Sequence, residues 1–287
     1  MIVVTGATGQ LGRLVIKALL RSVPASDIVA AVRSPDKAKD LAALGIAVRQ
    51  ADYTKPDTLR TAFAGADKLL LISSSEVGQR APQHRAAIDA AKAAGVKLIA
   101  YTSILRADNS PLSLAAEHLA TEVMLKESGV PFVVLRNGWY TENYTGWTGA
   151  ALASGTLIGS AGDGRIASAA RADYAEAAAA VLTRDNPAGA IYELAGDSAY
   201  TLTELAAEIA RQSGKPVLYK NLSETEHKAA LLGFGLPEPI AAMLANSDAG
   251  VSKGALFDDG RQLSQLIGHA TTPLAATVGT TMAALAG

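Results

Sequence analysis

Short apolar runs alternate with longer helical patterns through the first half of the chain. The runs are continuously apolar, which is typical of parallel strands covered by helices on both faces. The predicted strands are 2–5, 28–32, 47–49, 68–73, 98–102 and 132–136, and the predicted helices are 11–20, 34–44, 56–64, 83–94 and 113–128. This order predicts an α/β fold, a Rossmann doubly wound parallel sheet whose ligand crevice lies beyond the carboxyl ends of the strands.

The pattern changes after about Tyr144, where glycine-rich turns and mixed short elements begin. We therefore predict a first domain over residues 1–144, to which some later segments return, and a mainly smaller α/β C-terminal substrate-binding lobe over residues 145–287. Thr201 and Glu204 have the spacing of a capping box. The other elements predicted beyond residue 144 are an alanine-rich helix over 169–181, helices over 201–212, 263–267 and 273–285, and a strand over 216–219.

Composition and charge exclude several classes of protein. Lys and Arg number 26 against 27 Asp and Glu, and no long basic run marks a nucleic-acid surface. Because the chain has no cysteine, disulfides, zinc-thiolate centres and thiol nucleophiles are excluded. The four histidines lack paired ligand spacing, so no metal site is expected, and we interpret them as surface or capping residues. We expect neither a signal peptide nor a membrane span. The absence of cysteine suits a cytoplasmic location, which we predict, and we expect a monomer or a homodimer.

Three glycines with the spacing G-x-x-G-x-x-G follow the first predicted strand and open the first predicted helix. Gly6 permits a tight turn, Gly9 lets the backbone approach a pyrophosphate, and Gly12 lets helix and strand pack closely. The pyrophosphate then binds the amide groups of the helix N-terminus. The alternative is a glycine-rich turn without a ligand. The predicted cofactor-binding residues in this turn are Gly6, Ala7, Thr8, Gly9, Gln10 and Leu11.

Arg33 stands at the end of the second predicted strand, where an NAD-specific protein usually has an acidic residue for the ribose 2'-hydroxyl. A guanidinium suits a 2'-phosphate, which it binds with charge-assisted hydrogen bonds. We therefore predict NADPH rather than NADH as the cofactor of residues 1–144. The alternative is that Arg33 is an ordinary solvated residue ahead of a Ser34 cap and Pro35.

The chain resembles the short-chain dehydrogenase/reductase superfamily, but it lacks that superfamily's catalytic Tyr-x-x-x-Lys pair. Leu114 and His118 stand where the tyrosine and lysine are expected. This departure matches the atypical, NmrA-like branch. Within that branch, segments 72–84, 135–140 and 193–198 resemble the bacterial type 2 NADPH:quinone oxidoreductases, and the resemblance extends along essentially the whole chain.

The resemblance implies an NADPH-dependent quinone reductase that uses the nicotinamide without flavin or metal. It implies that Ser73, Ser74 and Ser75 lie along the cofactor and that Arg171 reaches it, although Arg171 has an alternative role in a salt bridge to Asp173. The turn implied to lie by the nicotinamide consists of Gly138, Trp139, Tyr140, Thr141, Glu142 and Asn143. No catalytic acid is identified, and His118 is interpreted as structural.

Two other functions remain open at this point. NmrA-like proteins include regulators that bind the dinucleotide and a protein partner without turnover, and the missing Tyr-x-x-x-Lys pair fits such a redox sensor equally well. Related reductases of this branch act on dyes or phenol-like aromatic compounds. The substrate itself is therefore predicted only as a small aromatic molecule, with a quinone favoured because its reduction yields a stable hydroquinone anion.

Overall fold

The apolar runs of the first half become strands of one sheet in the computed structural model, which describes residues 1–286. The strands are β1 Ile2–Thr5, β2 Ile28–Val32, β3 Ala47–Gln50, β4 Lys68–Leu71, β5 Leu98–Ile104, β6 Phe132–Asn137, β7 Thr156–Gly159, β8 Ile191–Leu194 and β9 Leu218–Asn221. The helices are α1 Gln10–Leu19, α2 Lys39–Ala43, α3 Pro56–Phe63, α4 Arg80–Ala93, α5 Ala115–Ser128, α6 Thr141–Thr145, α7 Thr148–Ser154, α8 Arg171–Thr183, α9 Leu202–Ser213, α10 Glu224–Gly233, α11 Glu238–Val251, α12 Gln262–Ile267 and α13 Leu274–Ala286.

Seven strands form the central sheet in the order β3-β2-β1-β4-β5-β6-β8. The first six pair in parallel, and β1 is bordered by β2 and β4, with Val4 opposite Ala30 on one side and Leu70 on the other. Every residue of β1, β2 and β5 is buried, as a sheet covered on both faces requires. The predicted Rossmann-type α/β fold is confirmed.

The chain divides into two compact units. Unit 1 consists of Met1–Ala107, Ala116–Asn137 and Arg171–Tyr192, and unit 2 consists of Asp108–Ala115, Gly138–Ala170 and the chain from Glu193 onward. After β6 the chain therefore passes to unit 2 at Gly138, whereas the sequence pattern placed the change at residue 145.

Helix α4 in unit 1 has polar residues on its buried face. Arg80, Gln83 and His84 at its start are buried, and Ala87 and Ile88 continue the same face one turn later. This spacing of three and four residues places all five side chains on one side of the helix. The apolar half of the face joins the core beneath the sheet, and the polar half reaches the segment that follows β4.

Unit 2 contains a two-stranded parallel sheet of β7 and β9, in which Thr156 lies opposite Leu218. The predicted capping box is present at the start of α9, where Thr201 accepts a hydrogen bond from the Glu204 amide. A second box, which the sequence interpretation passed over, begins α10 with Ser223 and Glu226. The strand predicted over 216–219 lies two residues further on, as β9.

Candidate functional site

The glycine turn between β1 and α1 leaves the start of the helix open to an anion. Gly6 has a φ of +57°, and its carbonyl accepts a hydrogen bond of 2.8 Å from the Gly9 amide. Gly9 is the N-cap residue of α1 and offers no side-chain cap, and the first helical turn has no acidic residue. The unpaired amide groups and the helix dipole therefore favour a phosphate at this point.

Gly12 explains why the third glycine is needed. A Cβ atom built there would meet the Gly6 carbonyl oxygen, and it would lie 2.7 Å from the Ala7 Cα. Both neighbours are backbone atoms that cannot rotate away. A side chain at position 12 would therefore displace the turn itself. Glycine at this position lets the helix pack closely on the strand.

A cleft of about 300 Å³ in unit 1 brings together residues from the carboxyl ends of four strands. Of the predicted cofactor residues, Gly6, Thr8, Gly9, Arg33 and the three serines of 73–75 line it. Ala7 and Leu11 are buried within the turn, and Gln10 is exposed at the first position of α1. The other lining residues are Ala51, Asp52, Tyr53, Thr54, Ile72, Glu76 and Gln83.

Arg33 lies at the exposed rim of this cleft and forms an ion pair. Its Nη1 donates to Glu76 Oε1 at 2.9 Å, and the Arg33 side chain remains 71% exposed. The other oxygen of Glu76 accepts a hydrogen bond of 2.7 Å from Gln83. The guanidinium is therefore accessible at the rim of the cleft, and the carboxylate beside it would compete with any other anion for the same cation.

The segment after β4 is held by side chains rather than by a neighbouring strand. The amides of Ile72 and Ser73 donate to the hydroxyls of Thr5 and Thr102, each at 2.9 Å. The Ser74 amide donates to the His84 ring at 3.0 Å. Three successive backbone donors are thus fixed, which gives the serine segment a defined path along the cleft.

Both polar groups of the Ser74 peptide unit are bonded to α4. His84 Nε2 accepts from the Ser74 amide, and Arg80 Nε donates to the Ser74 carbonyl at 2.7 Å. His84 Nδ1 lies 2.9 Å from Thr121 Oγ1, and Thr121 in turn donates to the Glu117 carbonyl. His84 must therefore carry its single proton on Nδ1. Burial, followed by the charge of Arg80, lowers the pKa of His84 to about 4.

The interpretation of the histidines as surface or capping residues is wrong for His84 and His227, whereas His118 was interpreted as structural. His84, His118 and His227 are buried, and only His269 is exposed. His118 Nδ1 lies 2.8 Å from the Tyr101 hydroxyl within the core of unit 1. Burial, with smaller contributions from Arg80 and His84, lowers the pKa of His118 to about 3, so the ring is neutral near neutral pH.

Residues 52–54 of the cleft were missed by sequence reasoning. Tyr53 is half-buried, and its hydroxyl lies within hydrogen-bond distance of Thr5 Oγ1 at 2.6 Å and the Ile72 carbonyl at 2.9 Å. Asp52 accepts hydrogen bonds from the amide and hydroxyl of Thr54. These residues directly follow β3, so applying the crevice rule to the third strand would have found them.

The predicted turn of residues 138–143 belongs to unit 2. The Gly138 amide donates to the Leu194 carbonyl at 2.7 Å, and the Thr141 hydroxyl lies 2.8 Å from Ser168 Oγ. Tyr140 precedes α6, and Glu142 lies in the first turn of that helix. Trp139 and Asn143 line a cavity in unit 2.

This cavity has a volume of about 320 Å³ and a largely apolar, aromatic lining. Trp147 and Phe234 form one part of the wall, with ring centroids 6.1 Å apart. The polar side chains in the lining include Tyr144, His227 and Asp248. Volume and lining are those of a site for a small planar molecule with a few fixed polar contacts. The apolar residues of the lining include Leu157, Ile158, Leu202, Leu231 and Leu244.

Arg171 begins α8 in unit 1 and is half-buried, and Asp173 in the same helical turn is buried. Helix α8 packs against α1, the helix that begins at the glycine turn.

Among residues 1–286, no cluster of three or more His, Cys, Asp or Glu is placed to hold a metal ion. Within the same range, no helix combines the length and apolar character needed to cross a membrane.

Comparison with known proteins gives matches over nearly the whole chain. Residues 6–185 match the family described as NAD(P)H-binding. The chain is 63% identical to quinone oxidoreductase 2 of Escherichia coli strain K12 over 278 residues, 97% of each chain. The crystal structure of the NADPH-dependent quinone oxidoreductase of Escherichia coli complexed with NADPH has a TM-score of 0.96 at 62% identity, covering 98% of this chain and 100% of that one. Triphenylmethane reductase of Citrobacter sp. complexed with NADP(H) has a TM-score of 0.93 at 41% identity, over 98% and 100% of the two chains.

Proposed function

The chain belongs to the NAD(P)H-binding family, and we propose that it is an NADPH:quinone reductase that transfers hydride directly to a small quinone. The family predicted from the sequence is confirmed. The main support for the proposal is the similarity, over nearly the whole length of both chains, to the quinone oxidoreductase of Escherichia coli, whose solved structure contains NADPH. The cleft of unit 1 supports it with a glycine turn that favours phosphate and with Arg33 at its rim.

The proposed cofactor site lies in the cleft of unit 1 and uses the predicted residues that line it. Residues 6–11 bind the pyrophosphate, Arg33 binds the 2'-phosphate, and residues 73–75 follow the cofactor along the cleft. That Arg171 and the turn of residues 138–143 bind the cofactor remains a prediction. Bound NADPH supplies the hydride, and the chain's own residues bind and orient the two reactants.

The aromatic cavity of unit 2 is the proposed site of the quinone ring. Its lining offers stacking surfaces in Trp139, Trp147 and Phe234, and polar groups for the quinone oxygens. Reduction of a quinone gives an aromatic hydroquinone anion, which is far more stable than the alkoxide formed from a simple ketone. The missing Tyr-x-x-x-Lys pair is therefore compatible with this reaction. The cytoplasm as the place of action and a monomeric or homodimeric state remain predictions.

Steady-state turnover tests the proposed function. Purified protein, checked by its absorbance spectrum for bound flavin, is assayed with 1,4-naphthoquinone and either NADPH or NADH. We expect protein-dependent oxidation of NADPH, with a lower KM for NADPH than for NADH. Tight NADPH binding with no turnover of benzoquinone or naphthoquinone would instead support the redox-sensor function.

A further inference from the structure

A buried carboxyl group forms part of the wall of the aromatic cavity in unit 2. Asp248 on α11 is only 6% exposed. Its Oδ1 accepts a hydrogen bond of 3.0 Å from the Tyr144 hydroxyl, and its Oδ2 accepts one of 3.2 Å from the Ser160 amide. A Cβ at Gly159 would lie 2.7 Å from Oδ2, so the backbone leaves room for the carboxyl group at this point. Two hydrogen bonds and the absence of a side chain at Gly159 thus hold the carboxyl group in the cavity wall.

The nearest basic side chain does not neutralise Asp248. His227 Nδ1 lies 3.6 Å from Asp248 Oδ2 but only 3.1 Å from Ser160 Oγ. The Ser160 hydroxyl donates to the Ala245 carbonyl, which leaves its oxygen to accept from a neutral His227 protonated on Nδ1. Burial lowers the pKa of His227, in keeping with this uncharged state.

Burial raises the pKa of the Asp248 carboxyl to about 6, against the opposing hydrogen bonds from Ser160 and Tyr144. Burial also raises the pKa values of the neighbouring tyrosines, so these remain neutral in that range. Asp248 is therefore a group in this cluster whose charge changes near pH 6. The titratable or charged side chains around it and its cavity are Tyr144 on α6, Tyr200 before α9, Tyr219 and Lys220 on β9, and His227 on α10.

We propose that the carboxyl group of Asp248 donates a proton to an oxygen of the reduced aromatic acceptor bound in this cavity. The inference rests on the proposed quinone reduction and names its proton donor. The quinone gains two electrons and one hydrogen as hydride from NADPH and becomes a hydroquinone anion. The O–H bond of Asp248 then breaks, an O–H bond forms on the hydroquinone, and the Asp248 carboxylate regains a proton from water.

Three observations together support this assignment. The carboxyl group lies in the lining of the cavity that suits a planar ring. Each carboxyl oxygen accepts one hydrogen bond and has a second lone pair, so the group can carry a proton without losing its present partners. An acid whose protonation changes near the working pH is well matched to proton transfer.

The test compares Asp248→Asn with wild type across pH, using NADPH and 1,4-naphthoquinone. In the wild type we expect kcat to fall as pH rises through about 6, because the donor loses its proton. Asp248→Asn keeps the shape of the side chain and the acceptor for Tyr144, but it cannot donate the proton. We expect its kcat below pH 6 to be lower by roughly 100-fold, the low end of the range for general acid catalysis, with no transition near pH 6. Asp259→Asn is the matched control, because Asp259 is exposed and lies outside the cavity lining.

Tyr144→Phe gives a second test that does not depend on the fold of Asp248→Asn. Removing the hydroxyl removes a bond that favours the ionised carboxyl, so the transition in kcat should move upward by roughly 0.5 to 1 pH unit. A merely structural role for either residue would lower activity without moving the transition.

A third measurement needs no turnover. Trp139 and Trp147 are the two tryptophans of the chain, and both line the cavity. We expect 1,4-naphthoquinone to quench their fluorescence without NADPH. Infrared difference spectra across pH 6 should show a protonated carboxyl band that Asp248→Asn lacks.

The proposal is overturned if folded Asp248→Asn retains the wild-type kcat and pH profile, or if the Tyr144→Phe profile superimposes on wild type. Quinone turnover by wild type in those cases leaves the proposed function standing, whereas absence of wild-type turnover overturns both.

Discussion

Arg33 and Glu76 form an ion pair of 2.9 Å at the rim of the unit 1 cleft. The pair joins the end of β2 to the segment after β4, beside the residues proposed to follow the cofactor. A 2'-phosphate at Arg33 would compete with the Glu76 carboxylate for the same guanidinium. We therefore expect Arg33 to favour NADPH over NADH and Glu76 to weaken that preference.

Arg33→Ala should weaken NADPH binding by roughly 10- to 100-fold, the value of a charge-assisted hydrogen bond to phosphate. Binding of NADH should change little, because NADH has no 2'-phosphate to lose. Dissociation constants for the two cofactors, measured by calorimetry on the same preparations, check this. Equal losses for NADPH and NADH would remove Arg33 from the 2'-phosphate site.

Glu76→Gln should have the opposite effect. The substitution removes a negative charge next to the proposed phosphate position but keeps a side chain that can bond to Gln83. We expect several-fold tighter NADPH binding at low salt, and the gain should shrink as salt screens the exposed charges. Unchanged NADPH affinity at low salt would show that the phosphate does not lie near this carboxylate.

Gly12→Ala should disrupt the phosphate-binding turn. The added methyl group would meet the backbone of Gly6 and Ala7, so we expect a destabilisation of about 1–3 kcal/mol and loss of NADPH binding. Urea unfolding and cofactor titration measure the two effects. Gly233→Ala is the control, because no atom lies within 4 Å of the added Cβ and Gly233 ends a helix. Wild-type NADPH affinity in Gly12→Ala would contradict the proposed use of this turn.

His84 should make the protein less stable in acid. Its pKa falls from 6.5 to about 4 on folding, so the unfolded chain binds the proton more readily between these values. The stability that neutral His84 contributes is present above pH 6.5 and is lost as pH falls through about 4. The shift corresponds to about 3 kcal/mol. We expect urea unfolding to show a flatter pH dependence for His84→Gln than for wild type between pH 6.5 and 4.

His84→Gln should also reduce stability at neutral pH by about 1–3 kcal/mol, because it perturbs the bonds to Ser74 and Thr121. His269→Gln is the matched control, since His269 is exposed. Asp248 acts in the opposite direction: its raised pKa contributes stability below pH 4 that is lost as pH rises through about 6. The comparison is therefore between variant and wild type at each pH. If the unfolding free energy of His84→Gln varied with pH in parallel with that of wild type, the lowered pKa of His84 would be contradicted.

Much of the central sheet was predictable because strands such as β1 and β2 are short, largely apolar and separated by helical patterns. Residues 2–5 and 28–32 were predicted with the bounds that the structure has. The glycine turn was also predictable, because its three regularly spaced glycines lie between such a strand and a helix. In contrast, β7 and β8 are only partly buried and lack a continuous apolar pattern, so neither was predicted.

The parts of the site that sequence reasoning missed depend on long-range contacts. His84 is polar by type, and only the packing of α4 shows that it faces the Ser74 amide. The cavity of unit 2 combines Trp139 with Asp248, more than a hundred residues apart in sequence. No local pattern joins such residues. The Ser223 and Glu226 capping box was a readable local signal that would have predicted the start of α10.

The most direct test of NADPH-dependent quinone reduction is an anaerobic single turnover. Protein saturated with NADPH is mixed with one equivalent of 1,4-naphthoquinone, and NADPH absorbance and hydroquinone are followed together. We predict protein-dependent loss of one NADPH for each hydroquinone formed, in a preparation whose spectrum shows no flavin. NADPH that remains bound and reduced while the quinone is unchanged would contradict the proposed quinone reduction.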